Sequence, residues 1–266
     1  MALDPIDDVN LATMAAGNVV RDYAAQGELF PPERTLLDLV RDEMQNQPIL
    51  DLGVGGGRTV EALRALGPGY VGLDNSAAMI SICKKRFPDA RFELGDARDL
   101  SRWPDGYFAL VTFSGNGLCM VGHEDRLRVI AEVFRVLRPG GAFAFSTFNR
   151  RSPDHDAGFR FPDFSLSLNP ARTAVRAARF VKHTLLRVRN RHRHLPLEDR
   201  CADYSIINDL CHDYGTLLYY LDLATQRKQL VAAGFEKHAP AYDHDGRLIE
   251  HDSTESSLAL LARKPR

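Results

Sequence analysis

Asp51 ends the apolar run Ile49–Leu52 and is followed by glycines at positions 53, 55, 56 and 57. Glycine permits a tight turn and lets backbone amides approach a ligand without Cβ interference. A second acid, Asp74, closes YVGLD, and a third, Asp96, follows an apolar run in FELGDARDL. At the carboxyl edge of a sheet, Asp74 could accept hydrogen bonds from two ribose hydroxyls and Asp96 from an exocyclic amino group. Each acid alone reads more readily as a solvated turn residue, while for the glycines alone a tight turn with no ligand is the lesser alternative. Acids after three successive strands are harder to obtain by accident. Two other glycine loops fit less well. A dinucleotide fingerprint needs a small residue where Arg58 stands, and a phosphate loop fails at both Arg58 and Leu52. A separate constellation lies in YSIINDLCHDYGTLLYY, which gathers Asp209, His212, Tyr214, Tyr219 and Tyr220. His212 has an unperturbed pKa near 6.5, suited to proton transfer at neutral pH. A core-edge histidine without catalytic work is an equal reading.

The elements that must position these residues alternate through 48–149. Strand-like runs at 49–52, 70–73, 91–94, 109–113 and 142–148 are separated by helical patterns at 59–66, 77–87 and 126–137. The last helix places Leu127, Ile130, Val133, Phe134 and Leu137 on one face, and Pro139-Gly140-Gly141 stops it. Repeated β-α units predict an open parallel sheet covered on both sides, with ligands at the carboxyl ends of its strands. Ahead of this core, residues 1–47 read as a helical cap segment broken at Phe30-Pro31-Pro32. Residues 150–215 read as an irregular inserted cap over the functional edge. Residues 216–266 read as a helix over 217–233, stopped by Gly234, and then a hairpin of 235–242 with 258–262 around Asp245-Gly246.

A chain of 266 residues, 44% hydrophobic and 26% charged, suits one globular unit with an insertion. A net charge of -1 gives no global attraction to nucleic acid or membrane. Acids at the N-terminus argue against a secretory signal, no apolar run is long enough to span a bilayer, and Cys83, Cys119, Cys201 and Cys211 lack metal spacing. A cytoplasmic setting with reduced thiols is the expectation.

The run 49–149 resembles the core of class I S-adenosylmethionine-dependent methyltransferases. The resemblance rests on LDLGVGGG, YVGLDNSAAMI, FELGDARDL, FALVTFSGNGL and EVFRVLRPGGAFAFSTFN, in family order. It implies an α/β fold, Rossmann-like, with a seven-stranded, mostly parallel sheet, an antiparallel last strand and helices on both faces. A helical cap would sit above. It also implies S-adenosyl-L-methionine as methyl donor. By motif, Asp51 and the backbone at Gly53 and Gly55 face the methionyl part, Gly57 belongs to the same cofactor-binding loop, and Asp74 binds the ribose with Asn75 and Met79 beside it. Asp96 and Ala97 read the adenine, and Ser114 lies near the methionyl end. Val54 and Gly56 depart from the polar residues the family usually carries there. No metal ligand set is visible.

Methyl transfer from a sulfonium is an in-line displacement, so alignment supplies much of the rate. The expected base is His212, with Asp209 and Tyr214 in the same stretch. Tyr23 would close over the cofactor and offer its ring to the sulfonium, with core packing as an equal alternative, and His123 reads as structural. The expected partner is a small or medium-sized methyl acceptor, with oxygen ahead of nitrogen as the methylated atom. Residues 171–194 hold eight Lys or Arg and no acid. Arg172, Arg176, Arg179 and His183 fall on one stripe, with Ala171, Ala174, Val175, Ala178, Val181 and Leu185 opposite. The leading reading is a solvated helix whose apolar side closes the cap. Contact with an anionic substrate or acidic lipid comes second, and nucleic acid is disfavoured. An RNA or protein methyltransferase docking through this helix, and a non-catalytic cofactor-binding protein, are the competing functions. The oligomeric state is left open.

Overall fold

The computed structural model describes residues 5–250 and 253–266. Three N-terminal helices, α1 (Pro5–Met14), α2 (Gly17–Ala25) and α3 (Pro31–Val40), lead into β1 (Ile49–Leu52). Then come α4 (Val60–Arg64), β2 (Tyr70–Asp74), α5 (Ala77–Arg86), β3 (Arg91–Leu94), β4 (Phe108–Phe113), α6 (His123–Val136) and β5 (Leu137–Asn149). The inserted region holds α7 (Pro170–His194), β6 (Asp199–Arg200), β7 (Ser205–Asp209) and a single turn, α8 (Cys211–Tyr214). The chain ends with β8 (Thr216–Leu221), α9 (Leu223–Ala232), β9 (Ala241–Tyr242), β10 (Leu248–Ile249) and β11 (Ser257–Arg263).

The sheet runs β10-β9-β11-β5-β4-β1-β2-β3. Strands β3, β2, β1, β4 and β5 are mutually parallel, and β11 runs antiparallel between β5 and β9. The expected seven strands with an antiparallel last one are therefore present, extended at the edge by β10. The central strands are buried on both faces, which is why they read as continuous apolar runs. Ile49 and Leu110 pack toward α3, α4 and α5, whereas Leu50 and Val111 pack toward α6 and α9.

Several sequence expectations need correction. The predicted helix over 217–233 is a strand followed by a helix. Thr216–Leu221 has no polar face, and a short, wholly buried apolar run cannot be assigned by periodicity alone. Helix α9 starts only after Asp222, whose carboxylate accepts from the Thr225 N–H at 2.7 Å. Strand β8 pairs antiparallel with β7 and, at Phe148 and Asn149, parallel with β5, replacing β4 beyond its end. Helix α6 buries Arg126, Val129, Ile130, Val133 and Val136, with Leu127 and Phe134 only partly covered. It ends at Val136, and Pro139-Gly140-Gly141 lies within β5 beside a bulge against β4. Of 235–242, only Ala241–Tyr242 is strand. Helix α7 turns its valines and Leu185 outward, so its apolar side does not close a cap.

Candidate functional site

The first turn after β1 carries Gly53, Gly55 and Gly57 at positive φ. Gly55 adopts a left-handed φ of 52°, which favours glycine, and its N–H donates to Asp74 Oδ2 at 2.8 Å. The Asp74 Oδ1 accepts from the Ser76 N–H, also at 2.8 Å. The glycine loop and the acid at the end of β2 are thus one unit. Burial pushes the Asp74 carboxyl up, against those two hydrogen bonds. Gly56 accounts for one departure from the family pattern. A Cβ there would lie 2.3 Å from the Tyr23 carbonyl oxygen, so α2 lies directly on the loop.

A cavity of about 480 Å³ opens above this unit. Tyr23, Gly53, Gly55, Asp74, Asn75, Met79, Asp96, Ala97 and Ser114 all line it. So do Asp7, Asn10 and Met14 of α1, which cover it from above. Asn10 fixes that cover: its side-chain amide donates to the carbonyls of Met120 and Leu217, each at 2.7 Å, and its Oδ1 accepts from the Leu217 N–H at 2.9 Å.

Two of the residues expected to bind the donor lie elsewhere. Asp51 is buried beneath the cavity and does not line it. Its carboxylate accepts from Thr59 Oγ1 (2.6 Å), Thr112 Oγ1 (2.8 Å) and Tyr70 OH (3.1 Å). Burial pushes its pKa up to about 6 despite these three donors. Gly57 is also outside the lining, packed against the Phe87 ring. Asp96 reaches the cavity but is gripped by Arg98, whose Nη2 lies 2.6 Å from Oδ2. Burial pushes the Asp96 carboxyl up, but the Arg98 bonds outweigh it and hold it below its usual value. Arg98 also pairs with Asp7 of α1 and Asp125 of α6, tying lid, loop and helix together. The sequence analysis missed Arg98, and its only local signal is the spacing Asp96-Ala97-Arg98.

The expected catalytic trio reaches neither this cavity nor a second one described below. His212, Asp213 and Tyr214 all have left-handed φ, between 52° and 59°. The His212 ring lies 6.2 Å from that of Tyr23, and burial holds its imidazole below the ordinary value against Asp22, Asp213 and Asp209. Asp209 accepts from Tyr220 OH (2.7 Å) and the Cys211 N–H (2.8 Å). The Tyr214 hydroxyl accepts from the Arg160 N–H at 2.9 Å, and its ring stacks on Phe159. The Asp209 and Tyr214 side chains are thus occupied in local hydrogen bonds. His123 bonds Tyr219 OH at 2.8 Å and stacks on Tyr204.

The second cavity, about 250 Å³, lies between the start of α3 and the ends of β4, β5 and β11. Thr59, Ser114 and Gly115 line both cavities. Its walls are mostly apolar (Phe30, Leu36, Leu37, Leu63 and Phe145 among them), with Asn116, Ser146 and Ser257 as a polar cluster. Asn116 sits at φ 58°, donates its N–H to Ser146 Oγ (2.7 Å) and accepts from Ser257 Oγ (2.8 Å). A buried ion pair stands where the cavities meet: Arg58 lines the first, Glu33 lines the second, and the Arg58 guanidinium lies 4.0 Å from the Phe30 ring centre. No residue of 150–215 lines either cavity. The cover comes from α1, α2 and the start of α3.

The family described as Methyltransferase domain matches residues 49–141. Over 132 residues the chain is 33% identical to the demethylmenaquinone methyltransferase of Renibacterium salmoninarum, covering 50% of this chain and 54% of that protein. It is 35% identical over 111 residues to the trans-aconitate 2-methyltransferase of Variovorax paradoxus, covering 40% and 41%. The chain thus spans about half, or less, of these curated relatives. Among solved structures it is similar to the 1,6-didemethyltoxoflavin-N1-methyltransferase of Burkholderia thailandensis, with 1,6-didemethyltoxoflavin and S-adenosylhomocysteine bound. There the TM-score is 0.58 and the identity 13%, over 100% of this chain and 93% of that one. At that identity the likeness concerns the fold. The family match over residues 49–141, the motifs and the strand order together make this stretch similar to the methyltransferase domains of S-adenosylmethionine-dependent enzymes.

Proposed function

We propose that the protein transfers a methyl group from S-adenosylmethionine to a small acceptor, on oxygen. The observation that carries this reading is the shared wall at Thr59, Ser114 and Gly115, which joins a nucleoside-sized cavity to a smaller, mostly apolar one. The first cavity suits the donor chemically. Asp74 offers carboxylate oxygens to hydroxyls, while Met79, Leu94 and Ala97 provide apolar walls for a base. Bound there, the donor supplies a methyl group activated on a sulfonium. The polypeptide's contribution is alignment, for which an in-line geometry contributes roughly 7–11 kcal/mol.

The acceptor would occupy the second cavity, with its apolar body against α3 and its polar atom toward Asn116, Ser146 and Ser257. These hydrogen-bonding groups favour an acceptor hydroxyl. Glu33 and His244 line that cavity, whereas His212 does not. Relatives named for demethylmenaquinone, trans-aconitate and ubiquinone biosynthesis support a small-molecule acceptor over RNA or protein.

The test is calorimetric titration with S-adenosylmethionine and S-adenosylhomocysteine, followed by transfer assays on small hydroxylated acceptors. Asp74→Asn should weaken binding by about 1–3 kcal/mol, because a buried acceptor is lost. A folded wild-type protein with no affinity for either nucleoside would refute the reading.

A further inference from the structure

Helix α7 is mounted with its polar side inward. Arg187 Nε donates to Asp213 Oδ1 at 2.8 Å, and His183 bonds the other oxygen of that carboxylate. Asn190 donates to the Asp213 carbonyl at 3.0 Å, and Arg191 donates to the Asn208 carbonyl at 2.9 Å and pairs with Glu198. The opposite side carries aliphatic residues into solvent. Val175, Val181, Leu185 and Val188 are 53%, 55%, 66% and 51% exposed. The irregular strap before the helix, packed on Thr173, Arg176 and Phe180, also exposes Phe161, Phe164 and Leu166.

Beside this stripe stand Lys182, Arg189 and Arg193, all exposed and without an ion pair to any described residue, while Arg172 and Arg179 are exposed on the opposite stripe. There is no acid between residues 164 and 197. The apolar and basic rows together restrict the partner. A second copy packed on this face would bring two uncompensated basic rows together. Nucleic acid would meet the arginines but gain nothing from the valines and Leu185. An anionic lipid surface satisfies both, because aliphatic side chains enter the acyl boundary while Lys and Arg stems reach the headgroup phosphates. No described helix is long and apolar enough to cross a membrane, so α7 would lie flat, presenting about 37 Å of helix at 1.5 Å per residue.

We propose that the outward face of α7, with the strap before it, docks the protein on anionic bilayers. The test is co-sedimentation of the full-length chain with vesicles of phosphatidylcholine alone, or with about a third phosphatidylglycerol, at low and high salt. The wild-type protein should partition onto anionic vesicles at least about fivefold more than onto neutral ones, and salt should reduce the difference. Lys182→Glu with Arg189→Glu should lower that partition by at least about tenfold, since each basic residue near the surface contributes roughly fivefold. Val181→Asp with Leu185→Asp should abolish it. Unfolding midpoints should stay unchanged in both variants, because these side chains do not hold α7 to the body. The proposal fails if the wild-type protein ignores anionic vesicles or binds neutral ones equally. It also fails if the Val181/Leu185 variant binds like wild type, or if that variant instead abolishes a dimer seen in sedimentation velocity.

Discussion

Helices α6 and α7 both carry an apolar stripe together with arginines, and the molecule mounts them in opposite senses. In α6, Val129, Ile130, Val133 and Val136 face the sheet, and even Arg126 is buried among them. Its guanidinium donates to the Leu118 carbonyl (2.8 Å), Gln229 Oε1 (3.2 Å), Thr147 Oγ1 (3.2 Å) and Gln226, and lies over the Tyr219 ring. In α7 the arginines make the attachments and the aliphatics face outward. Burial follows the available partners. The sheet offers α6 a broad apolar face, whereas β7 and the turn after it offer α7 carboxylates and carbonyls.

The most disruptive way to probe this difference is Arg126→Ala. It empties a large buried volume and strands several acceptors, so denaturant unfolding should register a loss of about 3–5 kcal/mol. A loss under 1 kcal/mol would mean the buried guanidinium network is not stabilising. Ile130→Ala should cost about 2–5 kcal/mol in the same assay.

The core also buries a carboxylate, and its signature is pH dependence. Asp51 has a folded pKa of about 6, above its unfolded value, so its stabilising contribution is full below about pH 4 and is lost as pH rises through 6. The stability of Asp51→Asn relative to wild type should therefore improve across that window, by at most about 3 kcal/mol. A difference independent of pH would contradict the assignment.

In the insert, Asp213→Asn keeps a side chain that tolerates left-handed φ while removing the charge that holds His183 and Arg187. Stability should fall by about 1–3 kcal/mol, and hydrogen exchange should quicken along α7 ahead of the core. The smallest effect should be that of Leu185→Ala, within about 0.5 kcal/mol, since its side chain is already in solvent. A core-sized loss there would mean the stripe is covered after all.

The lining of the larger cavity was legible because its parts are local. Glycines 53 and 55, Asp74 and Asp96 each lie at the end of a strand whose apolar run is plain, and parallel pairing brings those ends to one edge. The Asp51 placement was misjudged by one layer, since side chains alternate between faces and its neighbours Leu50 and Leu52 point the other way. Strand β8 was misread because a buried edge-to-edge strand and a buried helix share the same composition.

The sequence by itself determined the parallel core, its order of β-α units and the acids and glycines at its carboxyl edge. Apolar periodicity and turn chemistry act over a few residues, so they can be read without knowing what lies far along the chain. The tertiary structure alone decided that Arg98 ties α1 to α6, that Arg58 meets Glu33 between two cavities, and which side of α7 faces outward. Those outcomes depend on partners dozens of residues apart, whose proximity is created only when the layers pack.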